Sequence, residues 1–152
     1  VRRPRPRKSC PSRDTAWAMS QENVELVRRS FELWQAGRVD GWIETIDAGV
    51  EWDISAHPLP GFPNSGIGRD ALVGHMAAYL SGWNDYEVSN KETIDGGDDV
   101  VMIMHERARM RGSDMVLDRD LPTVWTVRDG RAVRYRVFKT RADALEAAGL
   151  SE

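Results

Sequence analysis

The fold of this chain is decided by residues 100–138, VVMIMHERARMRGSDMVLDRDLPTVWTVRDGRAVRYRVF. The stretch predicts three antiparallel strands joined by two tight turns, the first at Gly112-Ser113, where a two-residue hairpin needs a positive φ. This turn brings charged residues of complementary sign together across the first two strands: Arg111 with Asp114, Arg107 with Asp118, Glu106 with Arg119, and His105, once protonated, with Asp120. A one-residue slip would destroy every match and move each side chain to the other face, so we predict this register.

The second turn, around Asp129-Gly130, allows two geometries. A two-residue loop would put Trp125 on the same face as Arg134. A three-residue loop with Gly130 in a left-handed bulge puts Trp125 beside Val133 instead. Because the second geometry keeps the apolar residues together, we predict the three-residue loop.

This register gives the sheet one apolar face and one mixed face. The apolar face is rich in methionine and aromatic residues and carries Met102, Met104, Ala108, Met110, Met115, Leu117, Leu121, Trp125, Val133, Tyr135 and Val137. The other face mixes charged and aliphatic residues: His105, Arg107, Asp118, Asp120, Thr126, Arg134, Arg136, Val101, Ile103 and Val124. A sheet with one apolar face needs a covering layer, which the rest of the chain must supply.

The patterns outside this stretch predict that layer. Ser20 is a plausible N-cap for a helix with apolar residues at helical spacing as far as Trp34, and Gly37 ends it. Further elements follow in order: a short helix after Asp40, a strand over 50–54, a proline-rich loop over 57–64, a helix over 69–81, a strand over 86–94 and a helix over 142–148. The order α-α-β-α-β-β-β-β-α predicts an α+β fold, with early helices covering a curved, cone-shaped antiparallel sheet.

Composition narrows the possible functions. The chain has 152 residues, 41% of them hydrophobic, which suits one domain with a substantial core. Its single cysteine, Cys10, excludes an internal disulfide framework and a cysteine-built zinc site, and a reducing cytoplasm is the simplest location. No apolar run is long enough to span a membrane. The spacing of the three histidines indicates no metal site, and we expect no cofactor.

Residues 1–18 differ from the remainder of the chain. They are rich in arginine and proline and carry about +5, which leaves about -8 on residues 19–152. We predict a disordered, dispensable extension over 1–18 and a folded domain over 19–152. Met19 is the expected biological start, with a polyanion-binding arm as the alternative. The acidic body argues against nucleic acid as the main partner.

Taken together, the elements resemble the nuclear-transport-factor-2-like superfamily and, within it, the SnoaL-like group related to ketosteroid isomerases. The resemblance covers about residues 20–150 and is carried by five segments: 23–37, 47–52, 66–72, 124–133 and 144–150. It implies a cone whose apolar sheet face and helices enclose a pocket, usually in a dimer. It leaves the activity open, because this fold hosts isomerases, hydrolases, cyclases, dehydratases and non-catalytic binders.

The catalytic residues implied by the resemblance transfer only in part. Ketosteroid isomerases place a basic carboxylate at the end of the first strand, where this chain has Asp53, one residue later. Strand alternation points Asp53 away from the pocket unless the chain bulges. The helix tyrosine that serves those isomerases as an oxyanion donor corresponds to Trp34, and a histidine common in SnoaL-like relatives corresponds to Thr123. The loop residue His57 is a second candidate base, since its ordinary pKa suits proton transfer near neutral pH.

Two classes of function therefore remain. The first is cofactor-independent acid–base catalysis, of an isomerase, cyclase or hydrolase kind, on a small carbonyl-bearing or polycyclic compound, with Asp53 or His57 moving the proton. The second is a non-catalytic module that binds a small apolar ligand or only dimerises. The predicted ligand-binding residues are largely aromatic or methionine: Trp34, Trp52, Tyr79, Trp83, Met102, Met104, Thr123, Trp125 and Tyr135.

The mixed sheet face supports two further expectations. The pairs His105/Asp120 and Arg107/Asp118 are expected to form an outer charge ladder and not an active site. Three aliphatic residues on the same face, Val101, Ile103 and Val124, suggest a homodimer contact. The sequence leaves the identity of the substrate open.

Overall fold

The computed structural model describes residues 13–151, which contain four helices and six strands. The helices are α1 (Arg13–Gln35), α2 (Val39–Glu44), α3 (Arg69–Ser81) and α4 (Arg141–Ala147). The strands are β1 (Ile46–Asp53), β2 (Ser65–Ile67), β3 (Trp83–Gly96), β4 (Asp99–Met110), β5 (Val116–Arg128) and β6 (Arg131–Val137). None of the helices within this range combines the length and the apolarity needed to cross a lipid bilayer.

The strands form one sheet in the order β2-β1-β6-β5-β4-β3. Neighbours are antiparallel except β1 and β6, which run parallel. The α+β class, with helices covering a curved sheet, is confirmed. Strand β2, at the end of the proline-rich loop, adds one element to the predicted order.

The register between β4 and β5 is the predicted one. His105 pairs with Asp120, Glu106 with Arg119, and the same ladder continues along both strands. Gly112 has a φ of 74°, the conformation that the first turn position needs and that only glycine adopts without cost. Charge complementarity therefore determined the register correctly.

The turn between β5 and β6 differs from the prediction. Asp129 and Gly130 have φ values of 52° and 74°, the two-residue turn that matches the twist of the flanking strands. The predicted three-residue loop is therefore wrong. Instead, Val133 is an extra, half-buried residue in a β-bulge, and Trp125 pairs with Tyr135. The bulge restores the alternation that the short turn would otherwise invert.

Helix α1 begins at Arg13, so Ser20 lies inside the helix and does not cap it. The Ser20 hydroxyl donates a hydrogen bond to the Asp95 carboxylate, and the Asn23 amide donates to the Gly97 carbonyl at 3.1 Å. These bonds attach α1 to the turn between β3 and β4. Residues 13–18 are helical, and residues 1–12 of the predicted extension lie outside the described range. The domain boundary stays a prediction.

Two apolar clusters lie on opposite faces of the sheet. The inner one packs α1, α2 and α3 against the concave face. The outer one forms where α4 lays Ala144 and Leu145 over Val101, Ile103 and Val124. These three sheet residues are 0–3% exposed within a single chain. The patch expected to form a dimer contact is thus covered by α4, and the homodimer itself stays a prediction.

Candidate functional site

An internal cavity lies between the inner face of the sheet and the helices. It encloses about 60 Å³, and most of its wall is apolar. Its walls include Trp34 and Trp42 from α1 and α2, Leu72 and Met76 from α3, and Met104 and Trp125 from the sheet. The engineered cavity that takes up benzene measures about 150 Å³. Without side-chain movement, the cavity of this protein therefore accommodates only a molecule or substituent smaller than benzene.

One wall of the cavity is polar and is centred on Glu106. The Glu106 side chain is 2% exposed and accepts hydrogen bonds from both neighbouring tyrosines. The Tyr86 hydroxyl donates at 2.5 Å, and the Tyr79 hydroxyl lies 3.2 and 3.1 Å from the two carboxylate oxygens. Arg119 completes the set, with Nε donating to Oε2 of Glu106 at 3.1 Å. Glu106 is thus neutralised by a guanidinium and held by two hydroxyls.

Strand alternation explains why the wall forms here. Glu106 lies two residues after Met104 on β4, and Arg119 lies two residues before Leu121 on β5, so all four side chains point inward. Glu106 and Arg119 are expected from the sequence to pair, but neither was assigned to a face of the sheet. Alternation along the strands was the signal that could have placed them in the cavity.

Burial and the carboxylate together keep the two tyrosines protonated. Burial, followed by the negative charge of Glu106, raises the pKa of Tyr79 and of Tyr86 well above the ordinary range. Both hydroxyls therefore stay protonated at physiological pH. They act as hydrogen-bond donors and not as bases.

His57 is connected to the polar wall through Arg119. Arg119 Nη1 lies 3.0 Å from His57 Nδ1, and because a guanidinium can only donate, Nδ1 accepts and the neutral ring carries its proton on Nε2. Burial, followed by the charge of Arg119, lowers the pKa of His57, although Glu106 and the Phe138 carbonyl act in the opposite sense. His57 Nε2 is buried and makes no hydrogen bond of regular geometry within residues 13–151, and the Phe138 carbonyl is the backbone acceptor that acts on the ring.

The proline-rich loop that carries His57 is held in place by Asn64. The side-chain oxygen Oδ1 of Asn64 accepts from the backbone amide of Leu59 at 2.7 Å, and its side-chain Nδ2 donates to the Phe62 carbonyl at 3.0 Å. His75 Nε2 on α3 lies 3.2 Å from the same Asn64 oxygen. Through His57 the loop forms part of the cavity wall, and His75 also lines the cavity.

Tyr135 supplies a different kind of polar group. Its ring packs against Trp125 with centroids 4.6 Å apart, and its side chain lines the cavity. Burial, followed by the charges of Glu106 and Tyr79, raises the pKa of Tyr135. Its hydroxyl makes no hydrogen bond to any of the described residues. It is therefore available to a ligand.

The remaining predicted ligand-binding residues divide between the cavity and its surroundings. Trp34, Tyr79, Met104, Trp125 and Tyr135 line the cavity. Four others do not: Trp52, Trp83, Met102 and Thr123. Among these, Trp83 at the start of β3 packs against Tyr79, with ring centroids 6.1 Å apart.

The Thr123 hydroxyl is engaged in hydrogen bonds within the core and does not line the cavity. Its hydroxyl donates to the Met102 carbonyl at 2.8 Å and accepts from the Trp125 indole at 3.0 Å. Trp52 packs against the ring of His75 and the backbone of Gly66. These residues belong to the packed core around the cavity.

Asp53, the candidate catalytic base, is exposed at the end of β1. Its carboxylate accepts from the backbone amide and the hydroxyl of Ser55, at 2.9 and 2.5 Å. No bulge turns it inward, so alternation places it outside the cavity, as the strand pattern indicated. Of the two candidate proton-transfer residues, His57 lines the cavity.

The charge ladder on the outer face is also present. His105 Nδ1 lies 2.8 Å from Asp120, and Nε2 lies 2.6 Å from Asp118. Lys91 adds an ion pair to Asp120 at 2.8 Å. These side chains are 36–58% exposed, so the cluster is a surface feature. The expected pairing differs in one respect: Arg107 lies opposite Asp118 on the ladder, but Asp118 forms its ion pair with His105. Within residues 13–151 no group of three or more His, Cys, Asp or Glu side chains is arranged to hold a metal ion.

An outer groove of about 780 Å³ lies next to the cavity. Trp34, Tyr86 and Val88 line both spaces and separate them. The Gln35 amide donates to the Val88 carbonyl at 2.9 Å and ties α1 to β3 beside this partition. These residues form the boundary between the cavity and the outer groove.

Comparison with known proteins agrees with this architecture. A protein of unknown function from Burkholderia pseudomallei, described as NTF2-like, is 18% identical with a TM-score of 0.69, over 82% of this chain and 95% of that one. A Jannaschia sp. CCS1 protein named for its likeness to SnoaL-like polyketide cyclases is 25% identical with a TM-score of 0.68, over 79% and 86%. A Mycobacterium tuberculosis protein in complex with estradiol-17beta-hemisuccinate is 15% identical with a TM-score of 0.64, over 78% and 94%.

The likeness to the first and third structures shows the fold alone. Among proteins of curated function, none matches the sequence. The model of the SnoaL-like domain matches residues 27–135, which span α1 to β6 and contain the polar wall of the cavity. This chain therefore belongs to the SnoaL-like domain family.

Proposed function

We propose that this protein binds a small, largely apolar molecule in its inner cavity and performs cofactor-independent acid–base chemistry on it. The observation that carries the proposal is the polar wall of Glu106, Arg119, Tyr79 and Tyr86 in an otherwise apolar cavity. Apolar pockets with a few convergent polar groups and shifted pKa values are characteristic of ligand sites. Complexes of structural neighbours with small molecules support the same class of ligand.

His57 is the proton-transfer residue in this proposal. Its Nδ1 lone pair is engaged by Arg119, so the neutral ring offers a proton from Nε2 and not a free lone pair. In its resting state His57 is therefore a general acid, and it becomes a base only if Arg119 turns away. The proposed reaction is an isomerase-, cyclase- or hydrolase-like step on a carbonyl compound.

Size sets a limit on this compound. The cavity holds about 60 Å³, so a polycyclic ligand requires movement of Trp34, Tyr86 and Val88 toward the outer groove. Methionine side chains such as Met76 and Met104 adapt readily and can enlarge the cavity for a smaller ligand.

A second candidate function, ligand binding without catalysis, is favoured by one specific observation. Glu106 already accepts from two tyrosines and Arg119, and Asp53 lies outside the cavity. No other carboxylate lines the cavity within the described residues, so a free carboxylate base is lacking. The two candidates differ in whether the bound molecule exchanges protons.

Both candidates are tested with cyclopentanone in deuterated buffer. Binding is followed by the methyl NMR resonances of Met76 and Met104, and we expect these to shift saturably. Ala132→Leu, which fills the cavity, should abolish the shift, whereas Ala142→Leu on the exposed face of α4 should preserve it. Absence of saturable binding would disprove the proposed function.

Catalysis is read from the α-protons of the same ketone. Exchange for deuterium faster than in protein-free buffer, and lost in His57→Gln, supports the enzyme. Binding with exchange at the buffer rate supports the non-catalytic module. The cytoplasmic location stays a prediction from the sequence.

A further inference from the structure

Two histidines line the inner cavity, and they differ in what their ring nitrogens can do. His57 Nδ1 accepts from Arg119, so its lone pair is already engaged. His75 on α3 is 5% exposed, and its Nδ1 is buried without a hydrogen-bond partner among residues 13–151. Buried polar atoms are nearly always hydrogen-bonded in proteins. An unpartnered ring nitrogen of a residue on the cavity wall therefore points to a ligand.

The contacts of Asn64 determine which nitrogen of His75 carries the proton. The backbone amide of Leu59 can only donate and lies 2.7 Å from Asn64 Oδ1, whereas the Phe62 carbonyl can only accept and lies 3.0 Å from Nδ2. These two backbone groups fix the orientation of the side-chain amide, so Oδ1 is the acceptor. His75 Nε2 lies 3.2 Å from this oxygen and must donate to it. The neutral ring therefore carries its lone pair on Nδ1.

The surroundings of His75 keep this lone pair available. The ring packs against Trp52 with centroids 5.3 Å apart, and Trp52 is itself only 4% exposed. Burial lowers the pKa of His75 below its ordinary value of 6.5. The ring is therefore uncharged at physiological pH, and Nδ1 can take up a proton.

We infer that His75 is the general base of the cavity: its Nδ1 accepts a proton from the bound molecule, and Asn64 is the positioning residue that holds the ring in the required tautomer. This inference rests on the proposed function, because it supplies the proton acceptor that the catalytic reading of the cavity requires. The carboxylate of Glu106 is saturated by its donors, and Asp53 lies outside the cavity. His57 and His75 then form an acid and a base whose roles follow from their different partners.

The proton transfer balances on a ketone. The α-C–H bond breaks, its proton bonds to His75 Nδ1, and its electron pair delocalises onto the carbonyl oxygen. The products are an enolate and an imidazolium ring. Exchange of the Nδ1 proton with deuterated solvent, followed by return of deuterium to the α-carbon, regenerates the ketone and the neutral ring.

The test follows the α-proton exchange of cyclopentanone in deuterated buffer, with His75→Gln as the main variant. Glutamine can still donate to Asn64 but has no basic nitrogen. The exchange rate above that of the buffer should fall at least about 100-fold, as expected for loss of a general base. The dissociation constant, measured from the methyl resonances of Met76 and Met104, should stay close to that of the wild type. His105→Gln, which removes a histidine from the outer face, is the matched control and should exchange at the wild-type rate.

The role of Asn64 has its own spectroscopic signature. Asn64→Asp keeps the acceptor for His75 Nε2 and adds a negative charge, so NMR titration should show a raised pKa for His75. An unchanged pKa would overturn the positioning role, since a residue that only shapes the loop would not act on the ring.

A second measurement needs no variant. Nitrogen NMR of the wild type at neutral pH should show a proton on His75 Nε2 and none on Nδ1, and a proton on Nδ1 would overturn the inference. Exchange that persists in a folded His75→Gln, as verified by a chemical denaturation curve, would also overturn it and leave the proposed function standing. Ketone binding with exchange at the buffer rate in the wild type would overturn it in favour of the non-catalytic module. Failure of the ketone to bind would reject the proposed function itself.

Discussion

His105 and Glu106 are adjacent in the chain, yet they lie on opposite faces of the sheet and in opposite environments. His105 lies on the outer face, where Asp118 and Asp120 bind its two ring nitrogens in contact with water. Glu106 is almost completely buried on the inner face and pairs with Arg119. Each has its cross-strand partner on the same ladder. The difference between them is therefore burial, and not pairing.

Burial changes what such a pair does. Exposed ion pairs are screened by water and contribute roughly 0–1 kcal/mol. A buried pair contributes little net stability compared with apolar residues, but removal of one partner leaves an uncompensated charge. The outer cluster can therefore lose a member at little cost. The inner pair is a fixed and dry polar surface suited to a ligand.

The largest expected effect is that of breaking the inner pair. Arg119→Met leaves Glu106 buried without its guanidinium and should lower the unfolding free energy by about 3–5 kcal/mol at neutral pH. Urea denaturation measures this change. The double variant Glu106→Met/Arg119→Met should recover part of the loss, because no unpaired charge remains. A single variant as stable as the wild type would show that Glu106 does not depend on Arg119.

Within the cavity, two tyrosines differ in whether their hydroxyls donate to Glu106. Tyr86→Phe removes a hydroxyl that donates to the buried carboxylate, at a cost of about 1.5–3 kcal/mol in unfolding free energy. Tyr135→Phe is the matched control, since its hydroxyl has no partner among the described residues, and should change stability by less than about 0.5 kcal/mol. Equal losses of unfolding free energy in the two variants would show that the hydrogen bond from Tyr86 to Glu106 does not stabilise the fold.

The outer cluster should respond much more weakly. Asp120→Ala removes the partner of both His105 and Lys91 but should cost less than about 1 kcal/mol. High salt should reduce even this difference, since exposed charges are screened. If urea denaturation showed that Asp120→Ala loses as much unfolding free energy as Arg119→Met, then ion pairs on the outer and inner faces would not differ in their contribution to stability.

The smallest expected effect concerns pH, and the two faces should respond with opposite sign. Burial, and then Arg119, lowers the pKa of His57 below 6.5, so the unfolded state binds the proton more tightly. Its contribution to stability is present above pH 6.5 and is lost as the pH falls through that value to the folded pKa. His75 shifts in the same direction through burial.

His105 should behave in the reverse manner. The hydrogen bond to Asp120 is the main cause that raises its pKa. Its contribution is therefore present below pH 6.5 and is lost as the pH rises through the raised value. NMR titration of the three ring signals, together with stability curves for His57→Gln and His105→Gln, checks both signs. Titration of His57 above His105 would contradict the comparison.

The features predicted correctly from the sequence are those for which residues near one another along the chain allow only one arrangement. Complementary charges and Gly112 determined the β4–β5 register, and the apolar alternation showed which face needed cover. The same rules failed at the next turn, because Asp129-Gly130 adopts its preferred two-residue geometry and a bulge at Val133 corrects the phase. The bulge reconciles the preferred geometry of the turn with the packing of β6 against the core. Because it depends on both, it cannot be predicted from the turn residues alone.

The candidate site was predicted only in part. Five of the nine residues predicted to bind a ligand line the cavity, and so does His57, one of the two candidate proton-transfer residues; their roles stay predictions. Tyr86 and the pair Glu106/Arg119 were missed as cavity residues, although alternation along β4 and β5 points both members of the pair inward.

The α+β class, the pairing of Glu106 with Arg119 and the alternation of the two sheet faces can be read from the sequence, because they depend on residues close along the chain or across one hairpin. The covering of Val101, Ile103 and Val124 by α4 arises only when distant elements pack together. The same packing brings Tyr79 of α3 and Tyr86 of β3 to Glu106, and His57 to Arg119. Contacts between distant segments depend on how whole elements pack, and that packing left one buried carboxylate saturated and the hydroxyl of Tyr135 without a protein partner.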